Sequence, residues 1–388
     1  MIPDLPTYFV RKIFKSLIWI LAVVLSLAAC ETQEKQLSKE KNRDTCSVAY
    51  DTAYAEWLGN QAKKIDSFFT AKYNKRQFNG AILFADQGNV IIKEVYGYAN
   101  RQREDTLTID AAFQLASVSK PLTALAVLWL EERGHLSLED SIQQYFPEFP
   151  YEGINIRLLL SHRSGLPNYM YFSEELWTDR SIPISNQDVV CLMQTYRPNI
   201  YYIPDYRYNY CNTNYALLAA IVEQVSGMRF DDFMEQHIFR PIGMHDTFVY
   251  TKLETHARNL STVGYHRGRI AEDNYLNGVT GDKGIYSTVE DLFKLDQALY
   301  RGKLISHESQ QQAFTAVHPE LYDHDNYGLG WRINQQPDCS KIVFHSGWWK
   351  GYRTHFFRLL DKQQTIIVLS NTNRSRFIKT KELLTLME

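Results

Sequence analysis

The spacing of hydrophobic residues changes along the first third of the chain and predicts three kinds of element. Over residues 50–73 the apolar positions recur at helical spacing, which indicates an amphipathic helix. Two short apolar runs, 81–85 and 90–95, flank a turn at residues 88–89 and predict a β-hairpin. The run 122–130 is almost entirely apolar, and a helix that is apolar on all sides is typically buried.

The later part of the chain is first helical and then strand-like. Helical segments alternate with long loops up to about Val279, which predicts an inserted, mostly helical lobe over residues 136–279. A helix is predicted from about Arg376, and before it come four apolar runs at hairpin spacing, 330–333, 341–344, 354–359 and 365–369. The predicted fold class is therefore α+β, with one antiparallel sheet lobe, formed by residues 49–135 and 280–388 and flanked by helices.

Composition and charge exclude several classes of protein. The 388 residues are 45% hydrophobic and 22% charged, which is typical of a globular chain with a large core. The formal net charge is −2 and no basic stripe is visible, which argues against nucleic acid as a partner. The 11 histidines are scattered and no zinc-binding spacing occurs, so we expect no metal and no cofactor.

The first 30 residues have a pattern of their own. Arg11, Lys12 and Lys15 precede an apolar run over 17–27, and small residues follow it before Cys30. A basic segment, a short apolar segment and small residues form the layout of a secretory signal peptide. The segment also resembles a bacterial lipoprotein lipobox, and this resemblance implies cleavage before Cys30 and attachment of a lipid to its thiol.

These signals divide the chain into a signal peptide over residues 1–29, a polar tether over 30–48 and a folded domain over 49–388. We expect a lipid-anchored protein of the bacterial cell envelope that faces the periplasm or the cell exterior, with the membrane as a partner through the N-terminal lipid. The alternative is an uncleaved anchor helix, for which the apolar run is short.

The remaining cysteines show no pairing that the sequence identifies. With Cys30 lipidated, Cys46, Cys191, Cys211 and Cys339 are left, without a Cys-x-x-Cys motif. We expect free thiols, although an oxidising compartment leaves a disulfide open.

A candidate nucleophile stands immediately before the apolar run at 122–130. Ser117 and Lys120 form a Ser-x-x-Lys motif, and Pro121 fits the first turn of a helix that Gly134 ends. Ser117 would then lie at a helix N-terminus, where free N–H groups favour negative charge on its oxygen. Lys120 projects from the same face one turn later and can activate the hydroxyl. The same spacing at 38–41 lies in a polar run and lacks such a helix.

Two further motifs are selected by their context. Tyr-x-Asn occurs at 98–100, 210–212 and 275–277, but only Tyr210 and Asn212 precede a predicted helix of the helical lobe on a loop that can face the sheet. His-x-Gly occurs at 266–268 and 345–347, and only the second lies at the end of a predicted strand. A glycine there would allow a ligand to approach the backbone.

The three motifs, at residues 117–120, 210–212 and 345–347, together resemble those of the serine β-lactamase and penicillin-binding-protein superfamily. The likeness is to its class C and D-alanyl-D-alanine carboxypeptidase or esterase branch. It covers roughly Phe78 to Asn371 and includes accessory segments at 159–167, 281–288 and 327–331.

The resemblance implies a role for each site residue. Ser117 would attack a carbonyl and form an acyl-enzyme, while Lys120 and Tyr210 share its proton. A lysine cation beside Tyr210 would favour its phenolate and make it a base. The other expected contacts are to substrate or to the oxyanion: Asn212, His345, Ser346 and Gly347 for the substrate, and the backbone N–H groups of Ser117 and Trp348 for the oxyanion.

The sequence departs from the family pattern at three places, of which the first bears on loop shape and the other two on the substrate. Asp205 replaces a usual glycine, His345 replaces the lysine of class C β-lactamases, and Trp348 and Trp349 add apolar bulk. We therefore expect a membrane-anchored serine hydrolase that acts on short acyl esters or D-alanyl peptides. A β-lactam is the alternative substrate. A catalytically idle lipoprotein that binds peptidoglycan fragments or a partner is the alternative function, and the oligomeric state stays open.

Overall fold

The computed structural model describes residues 52–250, 262–317, 325–336, 338–373 and 378–388. The predicted signal peptide and the whole predicted tether, with Cys30 and Cys46, lie outside the described residues. Residues 62–388 form one compact unit, which contains the whole site described below. Across the described ranges, no helix combines the length and the hydropathy needed to cross a membrane.

Strands and helices alternate with loops throughout the described part. The strands are β1 Gly80–Asp86, β2 Asn89–Tyr96, β3 Tyr98–Asn100, β4 Asp105–Thr106, β5 Phe113–Gln114, β6 Phe248–Val249, β7 Tyr265–His266, β8 Arg269–Ile270, β9 Ile285–Ser287, β10 Asp325–Tyr327, β11 Arg332–Gln335, β12 Lys341–Trp349, β13 Tyr352–Leu359 and β14 Gln364–Ser370. The α-helices are α1 over 52–74, α2 Ser119–Glu132, α3 Ile156–Leu160, α4 Tyr169–Leu176, α5 Asn186–Tyr196, α6 Asn212–Ser226, α7 Phe230–Phe233, α8 Val289–Tyr300, α9 His307–Ala313 and α10 Thr380–Thr385. Single 3₁₀ turns cover Ala116–Val118, Ile142–Gln144, Arg240–Ile242 and Tyr275–Gly278, and Met234–Phe239 is a π-helix.

The central sheet has seven strands in the order β10-β11-β12-β13-β14-β1-β2, and every neighbouring pair is antiparallel. Strand β1 pairs with β14 from Gly80 opposite Ser370 to Asp86 opposite Gln364. The early hairpin and the C-terminal strands therefore share one sheet, which confirms the predicted α+β fold. The described part of the predicted helical lobe, residues 136–279, holds α3 to α7 and also the short strands β6, β7 and β8.

Two predicted boundaries are wrong by a few residues. The β1–β2 turn is formed by Gln87 and Gly88, both with positive φ (49° and 80°), and Asn89 already belongs to β2. A two-residue hairpin turn of this kind needs left-handed backbone at both central positions. The last helix begins at Thr380 instead of about Arg376, because Lys379 has extended backbone and its N–H is bound by Glu382.

Apolar packing covers both the sheet and the helix that follows the candidate nucleophile. All seven residues of β1 and of β14 are buried. Phe69 of α1 packs its ring 4.9 Å from that of Phe78 and 5.9 Å from that of Phe84. Helix α2 is buried along nearly its whole length and packs against α6, as its apolar sequence predicted. The first turn of α2 is thus fixed inside the core.

Helix α8 is attached to the sheet by a buried ion pair. The Arg358 guanidinium of β13 donates from Nε to Asp296 Oδ1 at 2.5 Å, and Thr365 Oγ1 of β14 donates to Asp296 Oδ2 at 2.6 Å. Arg358 and Asp296 are both fully buried. The pair joins one helix to two neighbouring strands of the sheet.

Candidate active site

Ser117 lies in a tight turn that directly precedes α2. Ala116 has φ = 50°, a left-handed backbone conformation that a non-glycine residue seldom adopts. Ser117 follows in the 3₁₀ turn Ala116–Val118, and the Val118 N–H donates to Leu115 O at 3.1 Å. Strained backbone of this kind persists only where the surrounding packing holds it in place, and it is concentrated at functional sites. The turn leaves Ser117 partly exposed while its neighbours are buried.

Strand β12 lies directly against this serine turn. A Cβ atom on Gly347 would be 2.2 Å from Leu115 O and 2.3 Å from Thr354 Oγ1, so only glycine fits. Thr354 Oγ1 also donates to Leu115 O at 2.6 Å. Glycine at this position allows the serine turn to contact the strand. That Gly347 also allows a ligand to approach the backbone stays a prediction, and the residue does line the cleft described below. The motif 345–347 also lies inside β12, not at its end, because Trp348 and Trp349 continue the strand.

Lys120 is completely buried, and its amine has three oxygen neighbours. Nζ lies 3.1 Å from Ser117 Oγ and donates to Asn212 Oδ1 at 2.8 Å and to Asp282 O at 2.9 Å. Burial lowers the pKa of Lys120 to about 8, and the Asp282 carboxylate opposes this change. The sequence prediction placed Ser117 and Lys120 on one helical face, and the structure brings them within hydrogen-bond distance.

Tyr210 faces the same serine from the loop before α6. Its hydroxyl is hydrogen-bonded to Ser117, and its ring centroid is 5.0 Å from Lys120 Nζ. Burial raises the pKa of Tyr210 above its ordinary value, and this effect exceeds the lowering by Ser117 and by the Arg332 charge. The expectation that a neighbouring lysine makes Tyr210 a phenolate is therefore wrong, since desolvation favours the neutral phenol.

Asn212 is the first residue of α6 and fixes the Lys120 amine. Its Oδ1 accepts from Lys120, and its Nδ2 donates to Met170 Sδ at 3.3 Å. The amide oxygen is thus committed to the lysine, and Nδ2 faces the cleft-lining side chain of Met170.

A cleft of about 370 Å³ opens in front of these groups. Six of the predicted site residues line it, namely Ser117, Tyr210, Asn212, Ser346, Gly347 and Trp348. Ser117 and Trp348 thus line the same cleft, as two donors to one oxyanion must; this role stays a prediction. Trp348 is 62% exposed and forms part of the rim.

His345 does not line the cleft, although we expected it to contact substrate. It is buried: Nδ1 donates to Ser346 O at 3.0 Å, so Nε2 accepts from the Tyr327 hydroxyl at 3.2 Å. Burial, followed by the charges of Arg332 and Lys120, lowers the pKa of His345 well below its ordinary value. His345 is therefore a neutral ring with both nitrogens hydrogen-bonded, and it supports the wall of the site without lining the cleft.

Two basic residues of the cleft were missed. Arg332 of β11 lines the cleft with its guanidinium carbon 5.4 Å from the Tyr210 ring centroid. It directly follows the accessory segment 327–331, and this adjacency is the sequence signal that could have identified it. In the structure it pairs with Phe344, the neighbour of His345. Lys283 is 3% exposed and belongs to the accessory segment 281–288.

The Lys283 amine is fully engaged. It donates to the Tyr169 hydroxyl at 2.7 Å, to Val279 O at 3.1 Å and to Asp282 Oδ1 at 3.3 Å. Tyr169 in turn donates to Asp282 Oδ2 at 3.0 Å. The network holds Asp282, whose carbonyl oxygen accepts from the catalytic candidate Lys120.

The described part contains no group of three or more His, Cys, Asp or Glu side chains placed to hold a metal ion. Cys191, Cys211 and Cys339 are free thiols in these ranges. Cys211, between Tyr210 and Asn212, is buried and donates weakly to Leu166 O at 3.3 Å.

Comparison with known proteins agrees with this geometry. The Beta-lactamase family model matches residues 65–385. Penicillin-binding protein 4* of Bacillus subtilis (strain 168) is 38% identical over 326 residues, which cover 80% of this chain and 72% of that protein.

Two solved structures have the same fold. A penicillin-binding protein from Bacillus halodurans superposes with a TM-score of 0.71 at 26% identity, over 82% of this chain and 97% of that one. A penicillin-binding protein homologue from Pyrococcus abyssi gives 0.70 at 26% identity, over 81% and 74%. The chain therefore belongs to the β-lactamase family and is a serine hydrolase of the β-lactamase and penicillin-binding-protein superfamily.

Proposed function

We propose that the protein cleaves an amide or ester through an acyl-enzyme on Ser117, with Lys120 as the base. The observation that carries this proposal is the surroundings of Lys120 Nζ. Asn212 Oδ1 and Asp282 O can only accept hydrogen bonds, so they take two N–H groups of the amine. The third direction faces Ser117 Oγ, where the lone pair of a neutral amine can receive the serine proton. A pKa of about 8 leaves a useful fraction of that neutral form near pH 7.

Tyr210 would act as the acid for the leaving group. It stays a neutral phenol because burial raises its pKa, and it is hydrogen-bonded to Ser117. Once Lys120 holds the serine proton, the Tyr210 phenol, which lines the cleft together with Ser117, can pass its own proton to the departing nitrogen or oxygen. The backbone N–H groups of Ser117 and Trp348 would bind the oxyanion.

The substrate we propose is a short D-alanyl peptide with a free carboxylate. Arg332 supports this choice, because a guanidinium on the cleft wall can bind a carboxylate through two hydrogen bonds. Neutral His345 supplies no such charge. Trp348 and Trp349 offer apolar surface for the acyl side of the substrate. The relative from Bacillus subtilis is named a penicillin-binding protein, so we also propose that β-lactams acylate Ser117 and are released slowly.

Covalent labelling tests the acyl-enzyme proposal directly. A fluorophosphonate probe should add one adduct to the wild-type protein, located at Ser117 by peptide mass spectrometry, and none to Ser117→Ala. A folded wild-type protein without an adduct, or an adduct that persists in Ser117→Ala, would favour the idle binding protein instead.

A matched pair of substrates tests the role of Arg332. An acyl-D-alanyl-D-alanine peptide and its C-terminal amide differ only in the carboxylate. Arg332→Gln should reduce kcat/KM for the acid by about 10-fold or more beyond its effect on the amide, since only the acid loses a charge-assisted pair. Equal losses for both peptides would remove Arg332 from substrate recognition. Nitrocefin is assayed beside the two peptides. If nitrocefin has the highest kcat/KM of the three, β-lactams are the substrate.

We also propose that the protein is secreted and anchored in the cell envelope by a lipid on Cys30. The support is the sequence alone, namely the basic segment, the apolar run over 17–27 and the small residues before Cys30. Cys30→Ser should leave the precursor uncut or release the protein from the membrane fraction. Wild-type protein in the soluble fraction with an unmodified Cys30 would contradict this.

A further inference from the structure

His162 lies against the Tyr210 ring, in the turn that follows α3. It is completely buried, and its ring centroid is 4.3 Å from that of Tyr210. Its backbone has φ = 57°, a left-handed conformation that is uncommon for histidine. His162 does not line the cleft, so it is not placed to contact the substrate.

His162 accepts hydrogen bonds from the residues on either side of Tyr210. The His162 carbonyl oxygen accepts from the N–H of Asn209 at 2.8 Å, and its side-chain Nδ1 accepts from the N–H of Cys211 at 3.1 Å. The peptide groups of the residues immediately before and after Tyr210 are thus bound by one residue. With the ring contact, His162 touches this three-residue segment at three points.

The side chain fits this purpose better than an apolar ring would. Because Nδ1 accepts, the proton of the neutral imidazole is on Nε2. Nε2 is buried and has no hydrogen-bond partner among the described residues, which costs free energy. Phenylalanine would fill the same space without that cost, but it could not accept from the Cys211 N–H. The ring stays neutral, since burial and then the Lys120 charge lower the pKa of His162 well below its ordinary value.

We propose that His162 is a positioning residue that holds Tyr210, through the backbone of Asn209 and Cys211, within hydrogen-bond reach of Ser117. This inference rests on the proposed function in so far as Tyr210 carries a proton there. Displacing a catalytic group by about 1 Å can cost roughly 100-fold in rate, so a loosened loop should be visible in kcat.

Two substitutions separate the hydrogen bond from the ring. His162→Phe keeps an aromatic ring and removes the acceptor for the Cys211 N–H. His162→Asn removes the ring but places an amide oxygen where Nδ1 was. We expect His162→Phe to lower kcat for a short alkyl ester by about 10-fold to 100-fold with KM changed less than about 3-fold, and His162→Asn to recover a large part of the loss. Equal activity of wild type and His162→Phe, or a larger loss in His162→Asn, would overturn the proposal.

A double-mutant cycle tests whether His162 acts through Tyr210. In a Tyr210→Phe background, His162→Phe should lower kcat by less than about 2-fold, because the hydroxyl that it positions is already absent. Full additivity of the two losses would overturn the proposal. His237→Asn is the matched control and should leave kcat unchanged, since His237 also packs against aromatic rings, but these are Trp129 at 4.6 Å and Phe233 at 4.8 Å and not Tyr210.

A measurement without catalysis keeps this inference separate from the proposed function. With 3-fluorotyrosine incorporated, the ¹⁹F signal of Tyr210 is assigned by its loss in Tyr210→Phe. It should be a single sharp line in wild type and His162→Asn, and broad or split in His162→Phe. A single sharp line in all three proteins would overturn the positioning role. If the positioning result holds while no variant, wild type included, is labelled by the fluorophosphonate, only the hydrolase proposal fails.

Discussion

The Lys120 amine is bound by two carbonyl oxygens that are fixed by the fold, and this determines how the residue responds to pH. Only the neutral amine can accept the Ser117 proton, and burial lowers the pKa of Lys120 to about 8. For a neutral short-chain ester, kcat/KM should therefore rise by about 10-fold per pH unit up to pH 8 and level off above it. Lys120→Arg should be inactive at every pH, because arginine stays protonated. A flat profile between pH 6 and 8 would exclude Lys120 as the base.

The Tyr210 hydroxyl should matter most when the leaving group needs a proton. Tyr210→Phe keeps the ring that packs on Lys120 and His162 and removes only the donor. We expect kcat to fall by about 10²-fold to 10⁴-fold for an alkyl ester or peptide, the usual range for general acid–base catalysis. The loss should be much smaller for a p-nitrophenyl ester, whose anion leaves without protonation. Equal losses for both esters would contradict a role as leaving-group acid.

At the scale of single elements, the contact between β12 and the serine turn depends on Gly347. Gly347→Ala would place a Cβ 2.2 Å from Leu115 O, so the strand must shift and carry Trp348 with it. A displaced oxyanion donor should lower kcat/KM by about 10²-fold or more, measured with the ester that gives the fastest wild-type turnover. Gly59→Ala is the control, since a Cβ there meets nothing within 4 Å. Wild-type kinetics in Gly347→Ala would show that the strand can move without consequence.

Helix α8 offers two ion pairs to the sheet that should differ greatly in their contribution to stability. Asp296→Ala leaves the Arg358 charge buried and unpaired, which should lower the free energy of unfolding by about 3–5 kcal/mol. Glu290, also on α8, forms an exposed ion pair with Lys93 of β2. Glu290→Ala breaks this pair and should lower the free energy of unfolding by at most about 1 kcal/mol. Urea unfolding of the two variants measures the difference. Similar losses would mean that Arg358 finds solvent or another partner.

The whole molecule shows which parts of the site a sequence can predict. Ser117 and Lys120 are three residues apart, across a 3₁₀ turn and the first turn of α2, so local helical geometry brings them together. The apolar run behind them predicted the burial of Lys120. The position of Arg332 in the cleft depends on how β11 pairs with β12, which no local pattern contains.

Two other errors have different physical causes. The protonation state of Tyr210 was misjudged because the sequence reveals a neighbouring lysine but not the loss of water around the phenol. The end of β12 was misplaced because the apolar pattern of 341–344 stops before the motif, whereas pairing with β13 extends the strand to Trp349.

Strand β1 pairs with β14, and Thr354 of β13 is hydrogen-bonded to the serine turn. These two contacts determine when the protein can become active during its synthesis. Thr354, which donates to Leu115 O beside the nucleophile, follows Leu115 by 239 residues. At about 5–20 residues per second, a ribosome needs on the order of tens of seconds to make that stretch. Ser117 and Lys120 leave the ribosome early, but their supporting wall does not yet exist. A nascent chain therefore carries its nucleophile in an unassembled form, and it becomes a hydrolase only when nearly all of it has been made.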